Sequence, residues 1–290
     1  MNGRKIGAHV SASGGLHLAV EKAFNIGCNA VQLFSSSPRV WNKKPLADFN
    51  IEKLFANVRK YSVSPIFTHA LYLVNLASDK PDLLRKSFES LKYELEFDAL
   101  IQGSGVVVHL GSHQGRGWDS VKNQIVIELE KLLKATPESS RFLIENSAGQ
   151  QGKIGSPLEE VRWLLDELER VGGFVSGNRL GWCFDTCHGF ASGYHLSGKG
   201  EKVALTDISS LKLWDNLYCI HVNDSKDPFD SGRDRHQNLG DGTIPQEELA
   251  AFLNDKNVAK IPLILEVPGI DENGPDAENV LRLKKIIGMI

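Results

Sequence analysis

Eight short apolar runs recur along this chain of 290 residues, and seven of them end in a side chain that can bind a metal ion. These endings are His9, His69, His109, Glu145, Asp185, His221 and Glu266. The eighth run, at 30–34, ends in Ser35 instead. From His69 onward the endings recur roughly every 35–45 residues, about the length of one strand, one helix and two loops. Eight such units predict an α/β fold of the (β/α)8 type, the TIM barrel.

The predicted strands lie at 5–10, 30–34, 66–70, 105–110, 141–146, 180–186, 218–223 and 263–268. Several are continuously apolar, as expected for parallel strands buried on both faces. Helical patterns lie near 16–26, 47–61, 82–102, 120–135, 157–170, 205–216, 246–255 and 277–287. No linker or composition break divides the chain, so we expect one domain over 1–290. Doubly wound open sheets also alternate strands and helices, but eight repeats with widely distributed polar endings favour a closed barrel.

Bulk properties limit the class of protein. No apolar run approaches the roughly 20 residues that span a membrane, and the first residues lack the apolar core of a signal peptide. The four cysteines show no disulfide spacing, so we expect reduced thiols and a cytoplasmic location, at the nucleoid in a bacterium. A net charge of −3 gives no overall signal for nucleic acid, and any such role must depend on local charge.

Positive charge is concentrated in the loops after the predicted strands. These loops hold Arg39, Lys43, Lys44, Arg116, Lys153, Lys199, Lys226, Arg233 and Arg235. On a barrel they share one face with the polar strand endings. A basic rim around a centre rich in histidine and carboxylate suits an anionic substrate held by metal ions.

Two short motifs add ligands beyond the strand ends. Asp185-Thr-Cys-His188 places a histidine just past strand six, and Asp234-Arg-His236 lies in the loop after strand seven. His9 has no loop partner and is expected to support the ligands. Nine candidates remain: His69, His109, Glu145, Asp185, His188, His221, Asp234, His236 and Glu266. Nine exceed the needs of one ion and suit two or three, an arrangement typical of phosphoryl displacement.

Each candidate has an ordinary structural interpretation as well. A single histidine or carboxylate at a strand end is more often a satisfied core or capping residue, and it is the joint pattern that indicates a metal site. Cys183 and Cys187 flank Asp185 and are expected to pack, because oxygen and nitrogen donors already suffice. Trp41 and Leu71 adjoin basic or polar loops; they could stack on nucleic-acid bases, but burial against the barrel rim is the better expectation.

The motifs around these residues resemble those of the endonuclease IV family of apurinic/apyrimidinic endonucleases. The likeness rests on Ile6-Gly-Ala-His-Val-Ser-Ala12, Glu145-Asn-Ser-Ala-Gly149, Phe184-Asp-Thr-Cys-His-Gly-Phe-Ala-Ser-Gly-Tyr194, His221-Val-Asn-Asp-Ser-Lys226, Asp234-Arg-His236, Gln237-Asn-Leu-Gly-Asp-Gly242 and Leu265-Glu-Val-Pro268. It covers essentially the whole chain. The resemblance implies a zinc-dependent TIM barrel that cleaves duplex DNA 5′ to an abasic site, leaving a 3′-hydroxyl and a 5′-deoxyribose phosphate, with a 3′-end-cleaning phosphodiesterase activity. It also implies a monomer that takes part in base excision repair.

The resemblance further implies a distribution of ligands among three zinc ions, with Mn²⁺ possible at some sites. The first ion takes His69, His109 and Glu145. The second shares Glu145 and takes Asp185, His221 and Glu266. The third takes His188, Asp234 and His236.

The resemblance also implies roles in DNA binding for Arg39, Tyr72 and Leu73, in a segment where Leu71 replaces the proline common in the family. Our hypothesis for catalysis is in-line attack on phosphorus by hydroxide activated at zinc. Glu145 and Glu266 are the candidates for orienting that hydroxide.

Two other functions remain open from the sequence. A sugar isomerase or epimerase of the xylose-isomerase-like barrels needs one Mn²⁺ or Mg²⁺, for which Glu145, Asp185, His221 and Glu266 suffice. The remaining five ligands argue against it, since a one-ion isomerase would not need them. A non-catalytic binder of DNA lesions on the same fold is disfavoured because the complete ligand set is present.

Overall fold

A closed barrel of eight parallel strands dominates the computed structural model, which describes residues 3–150 and 152–290. The strands are β1 Ile6–His9, β2 Ala30–Phe34, β3 Ile66–His69, β4 Val106–Val108, β5 Phe142–Glu145, β6 Leu180–Asp185, β7 Leu217–His221 and β10 Leu263–Leu265. Neighbours pair in the order β1, β10, β7, β6, β5, β4, β3, β2, and β2 pairs with β1 to close the barrel. A two-stranded antiparallel sheet, β8 Asp224–Ser225 with β9 His236–Gln237, lies in the loop after β7.

Helices follow the strands around the barrel. They are α1 Leu16–Asn25, α2 Ile51–Tyr61, α3 Pro81–Leu100, α4 Trp118–Lys134, α5 Leu158–Gly172, α6 Thr186–Ala191, α7 Ala204–Ser210, α8 Gln246–Leu253 and α9 Ala277–Ile286. The predicted (β/α)8 fold is therefore confirmed. Among the described residues, none of the helices combines the length and the apolar character required to cross a membrane.

The local structure differs from the sequence expectations in a few places. The helix expected at 205–216 is the short α7 and a separate 3-10 turn at Trp214–Asn216, because Lys212 between them has a φ of 54° that a helix cannot contain. The helix expected at 47–61 also begins with a separate 3-10 turn, at Leu46–Asp48. The helix α6 and the sheet β8–β9 were not predicted, because such short elements show no periodicity.

Apolar side chains fill the fold in two layers. The barrel interior holds Ala30, Phe67, Val107, Leu143, Cys183, Cys219 and Ile264. A larger layer between the strands and the helices holds buried side chains such as Leu91, Leu129, Leu164 and Phe252. Parallel pairing then brings the carboxyl ends of the strands to one face; Asp185, for example, lies beside His221 in the β6–β7 register. A packed interior with functional side chains at that face is the general plan of this fold.

Candidate metal centre

All nine predicted ligands converge on the C-terminal mouth of the barrel. Four are the last residues of their strands, and two follow a strand directly: His69, Glu145, Asp185, His221, then His109 and Glu266. His188 lies in α6, Asp234 precedes β9, and His236 begins it. Ligand atoms of eight of these residues, all except Asp234, form three groups, in each of which the atoms lie within 4.8 Å of one another.

The first group contains His69, His109 and Glu145. Nε2 of His69 and Nε2 of His109 lie 3.2 and 3.1 Å from the same carboxylate oxygen, Oε2 of Glu145. Glu145 is fully buried, so these two imidazoles are among the few polar groups that contact its carboxylate.

The second group contains Glu145, Asp185, His221 and Glu266. Nδ1 of His221 lies 2.9 Å from Oε1 of Glu145 and 3.1 Å from Oε2 of Glu266. Its distance to Oδ2 of Asp185 is 3.8 Å. Three carboxylates thus surround one imidazole nitrogen.

The third group contains Asp185, His188 and His236. Asp234 adjoins it, since its Oδ1 atom lies 3.1 Å from Nε2 of His188 and 3.4 Å from Nε2 of His236. Asp185 reaches this group as well as the second, with Oδ2 at 3.5 Å from Nε2 of His236. Glu145 and Asp185 therefore join the three groups into one continuous cluster.

Hydrogen bonds to the backbone fix the direction of three histidines. Nδ1 of His69 donates to the carbonyl of Ala70 at 2.8 Å, and Nδ1 of His188 donates to the carbonyl of Asn146 at 3.0 Å. Nδ1 of His236 is 3.3 Å from the carbonyl of Glu266. With the proton on Nδ1, each ring turns the lone pair of Nε2 towards the cluster, as metal-binding histidines do.

The charges of the cluster depend strongly on one another. Burial acts to raise the pKa of Glu145, but His109 and His221 hold that pKa well below its usual value. Burial acts to lower the pKa of His221, but Glu266 and Glu145 raise it well above the usual value. Burial lowers the pKa of His109 to about 4. A proton on His221 thus balances ionised carboxylates whereas His109 is neutral at pH 7, and cations could also provide this balance.

The residues fit divalent cations. Nε2 of His188 and Nε2 of His236 are buried and, among the described residues, face carboxylates of the cluster without the aligned hydrogen bond that buried nitrogens normally make. The donors are imidazole nitrogens and carboxylate oxygens, a mixture that zinc accepts readily and manganese can also use. Metal binding at these clusters is therefore consistent with the structure.

The cysteines contribute packing instead. Cys183 and Cys219 lie in the barrel interior, where their sulfurs come near His221. Burial raises the pKa of the Cys183 thiol well above its usual value, which favours the neutral thiol in the metal-free protein. Cys187 is also buried, and burial raises its pKa too.

Sequence reasoning missed three polar residues that support the ligands. The side chain of Asn223 donates to Oδ2 of Asp185 at 2.7 Å and accepts from the backbone N–H of Glu266 at 2.9 Å. Asn146 accepts from the backbone N–H of Asp185 at 2.6 Å. Gln32, in the middle of β2, contacts Glu266 and is fully buried. A polar residue inside an otherwise apolar strand was the available signal for Gln32.

His9 lies where a supporting residue was expected. Its Nδ1 atom lies 2.8 Å from Oε1 of Glu266, and its ring packs 4.3 Å from that of Phe34. His9 and Phe34 also line a cavity of about 520 Å³ beside the cluster.

The predicted DNA-binding residues lie on the rim. Arg39 is exposed in the loop after β2. Tyr72 and Leu73 are 54% and 38% exposed, large fractions for such side chains, whereas the neighbouring Leu71 is buried. Tyr72 lines a second cavity, of about 230 Å³, together with His109, His188, Asp234 and Lys153.

Three basic side chains that were expected to form the rim are paired with carboxylates of the same chain. Lys43 does not face solvent but forms an ion pair with the buried Glu94 of α3. Arg233 and Arg235 both pair with Asp227.

The closed (β/α)8 barrel with histidines and carboxylates at its mouth places the protein in the class of the xylose isomerase-like barrels. In agreement, residues 20–286 match the protein family described as xylose isomerase-like TIM barrel. The chain is 36% identical over 282 residues to a protein of Halothermothrix orenii named Probable endonuclease 4, which covers 97% of this chain and 99% of that protein. It is also 36% identical over 286 residues to the protein of the same name from Thermotoga maritima, with 98% and 96% covered.

A crystal structure of endonuclease IV from Thermus thermophilus matches with a TM-score of 0.82 at 31% identity, covering 99% of this chain and 100% of that chain. A D-tagatose 3-epimerase-like protein shares the fold, with a TM-score of 0.71 at 20% identity over 98% and 97% of the two chains. This chain belongs to the endonuclease IV family, the apurinic/apyrimidinic endonucleases of this barrel class. The predicted family and enzyme class are thereby confirmed.

Proposed function

We propose that the enzyme hydrolyses the phosphodiester on the 5′ side of an abasic site in duplex DNA, leaving a 3′-hydroxyl and a 5′-deoxyribose phosphate. The relatives named as endonuclease IV support a DNA substrate. The observation that carries the proposal is the joining of three ligand groups through Glu145 and Asp185. One ion would leave most of these ligands unused, whereas clustered divalent ions suit the displacement of a phosphate ester.

Three zinc ions are the occupants that we propose, with manganese compatible at the site richest in carboxylates. His69, His109 and Glu145 would hold one ion, and Glu145, Asp185, His221 and Glu266 a second. His188, Asp234 and His236 would hold the third, with Asp185 close enough to share. Such ions, when bound, supply Lewis acidity towards the phosphate and lower the pKa of water.

Glu145 and Glu266 are the carboxylates we assign to orienting the attacking water. Burial acts to raise the pKa of Glu266, but His221 and His9 hold it well below its usual value, so this carboxylate is an acceptor at neutral pH. His9 and Gln32 both contact Oε1 of Glu266, and its Oε2 is directed into the cluster. A fixed acceptor beside the reacting phosphate orients water without reorganisation.

The rim residues are assigned to DNA. Arg39 is suited to a backbone phosphate, and the exposed side chains of Tyr72 and Leu73 are suited to stacking on or wedging between bases. Burial, then the carboxylates Glu266 and Glu145, raise the pKa of Tyr72, so its hydroxyl remains protonated and can donate. Cleaning of blocked 3′ ends would use the same site, in a monomeric enzyme that acts in the cytoplasm.

An incision assay on a duplex with one abasic-site analogue tests the proposal. Wild type should cut 5′ to the lesion, Glu266→Gln should lose most of this activity, and a chelator should abolish it. Equal cleavage by Glu266→Gln would contradict the role of that carboxylate. Persistent cleavage after verified removal of metal would contradict the metal-dependent reaction.

A sugar epimerase is the second candidate, because Glu145, Asp185, His221 and Glu266 alone form a set adequate for one ion. The five additional ligands oppose it, and the epimerase-like protein compared above shares the fold alone. One ion per chain, turnover of a ketohexose and no incision of abasic DNA would together favour this function instead.

A further inference from the structure

Gln32 is fully buried in β2, directly beneath the ligand cluster; β2 and β1 are the two barrel strands whose ends carry none of the nine predicted ligands. Its amide nitrogen donates to Oε1 of Glu266 at 2.6 Å, and its amide oxygen lies 2.8 Å from Nε2 of His221. The amide nitrogen is also 3.0 Å from Nδ1 of His9. One neutral side chain therefore contacts two ligands that come from different strands.

His221 is oriented differently from the three histidines that donate to backbone carbonyls. Those rings turn Nε2 towards the cluster, whereas His221 turns Nδ1 towards Glu145 and Glu266. Its Nε2 atom points away, to Gln32. Within the described residues its ring makes no hydrogen bond to a backbone carbonyl, so Gln32 holds the place that the carbonyls of Ala70 and Asn146 hold for His69 and His188.

Hydrogen-bond chemistry fixes the direction of the amide. An ionised carboxylate only accepts hydrogen bonds, so the NH₂ group of Gln32 must face Glu266. The amide oxygen then faces His221 and, because it only accepts, requires the proton of that ring on Nε2. When metal binding displaces the second proton of this ring, Nδ1 of His221 is the atom whose lone pair is directed into the cluster. The same amide engages Oε1 of Glu266 and leaves Oε2 for the cluster.

We propose that Gln32 is a positioning residue of the metal centre, which selects Nδ1 of His221 and Oε2 of Glu266 as the atoms that face the ions. The inference rests on the proposed function, since it assumes that ions occupy the cluster. In this role Gln32 would touch neither the substrate nor the ions. It acts through two ligands, as side chains behind a metal's own ligands commonly do.

Zinc affinity measured by competition with a chelator tests this role. Gln32→Met keeps the length of the side chain and removes both hydrogen bonds. Gln124→Met is the matched control, because the amide of Gln124 also makes two hydrogen bonds, to the carbonyls of Leu76 and Ser78, but contacts no ligand. Both variants should unfold at a lower temperature than wild type when metal-free. Only Gln32→Met should lose zinc affinity, by roughly 10- to 100-fold for the most weakened ion.

A measurement on the wild type keeps the inference testable if Gln32→Met does not fold. A long-range ¹H–¹⁵N correlation spectrum of the zinc-loaded protein should show the proton of His221 on Nε2. A proton on Nδ1 would overturn the inference, as would zinc affinities of Gln32→Met and wild type within about twofold of each other. A wild type that binds no zinc would overturn the proposed metal centre itself, and this inference with it.

Discussion

Nδ1 of His221 lies 2.9 Å from Oε1 of Glu145, although the two residues are 76 positions apart in the chain. The other oxygen of Glu145, Oε2, faces His69 and His109. One buried carboxylate therefore offers a separate oxygen to each of two ligand groups. This geometry makes Glu145 the link between two of the proposed metal sites.

Glu145→Gln should impair both of these sites at once. The amide keeps the size of the side chain but has one acceptor oxygen and no charge, so it cannot serve both groups. We expect bound zinc to fall from three ions to one and incision of abasic DNA to fall on the order of 1000-fold, since several kcal/mol of transition-state stabilisation come from such ions. Zinc analysis of the purified protein and single-turnover incision would measure the two effects.

Glu138→Gln is the matched control for this substitution, because Glu138 is exposed just before β5 and belongs to none of the ligand groups. It should leave zinc content and incision unchanged. Retention of three zinc ions by Glu145→Gln would rule out the linking role.

The sequence alone was sufficient to place most of the candidate ligands at the barrel mouth. Parallel strands in a closed barrel must bring their carboxyl ends together, so polar endings such as His69 and Glu145 could be assigned to one face without coordinates. The position of His188 could also be predicted from the sequence, because it is only three residues from Asp185. The Asp185 side chain caps α6 and accepts from the His188 backbone N–H, which keeps the two residues together.

The orientation of the histidine rings and the inward direction of some charged side chains could not be predicted from the sequence. Which nitrogen of His221 faces the cluster depends on Gln32, a contact across 189 positions of the chain. Lys43 was expected on the basic rim, but it turns inward to Glu94. The helical period places Glu94 beside the buried Leu91 and Leu95, and nothing in the local sequence shows that its partner would come from a distant loop.

Removal of metal should destabilise the protein, and the effect should grow with pH. Burial lowers the pKa of His188, but Asp185 and Asp234 raise it well above the usual value, as Glu266 and Glu145 do for His221. Both rings are then protonated near neutral pH in the metal-free protein and must release protons when zinc binds. Protons compete less as the pH rises, so stabilisation by zinc should be greater at pH 8 than at pH 6.

Thermal unfolding with saturating zinc and with chelator, at both pH values, measures this difference. The metal-free protein serves as its own reference at each pH. A stabilisation by zinc that is equal at pH 6 and pH 8, or larger at pH 6, would contradict the assignment of protons to these histidines.

Arg39→Ala should weaken binding of abasic DNA without affecting the metal centre. Loss of one phosphate contact should lower affinity by roughly tenfold. It should also reduce the salt slope, that is, the steepness with which the logarithm of the binding constant falls with the logarithm of salt concentration, by about 1. Arg59→Ala provides the comparison, since Arg59 is also exposed but lies in the last turn of α2, towards the opposite end of the barrel. Fluorescence anisotropy with chelated protein at several salt concentrations measures both quantities. Identical salt slopes for the two variants would remove Arg39 from the DNA contact.

Lys43→Met should reveal how the loop after β2 is held in place. Glu94 is 1% exposed and receives hydrogen bonds from Lys43 and, at 2.9 Å, from the hydroxyl of Ser35, so the pair ties this loop to α3. Removal of the lysine would leave a buried carboxylate without its cation, at a cost of about 3 kcal/mol at pH 8. Incision should also weaken, because the same loop carries Arg39.

The loss of stability in Lys43→Met should depend on pH. Burial already raises the pKa of Glu94, against the opposing effect of Lys43, and without the lysine that pKa should rise further. A carboxyl whose pKa is raised on folding favours the folded state while protonated and loses this contribution as the pH rises. Lys43→Met should therefore be closer to wild type at pH 5 than at pH 8 in urea unfolding. Lys44→Met, which changes an exposed neighbour, should show no such dependence. If the loss of unfolding free energy in Lys43→Met is equal at both pH values, Glu94 is not the group left unpaired.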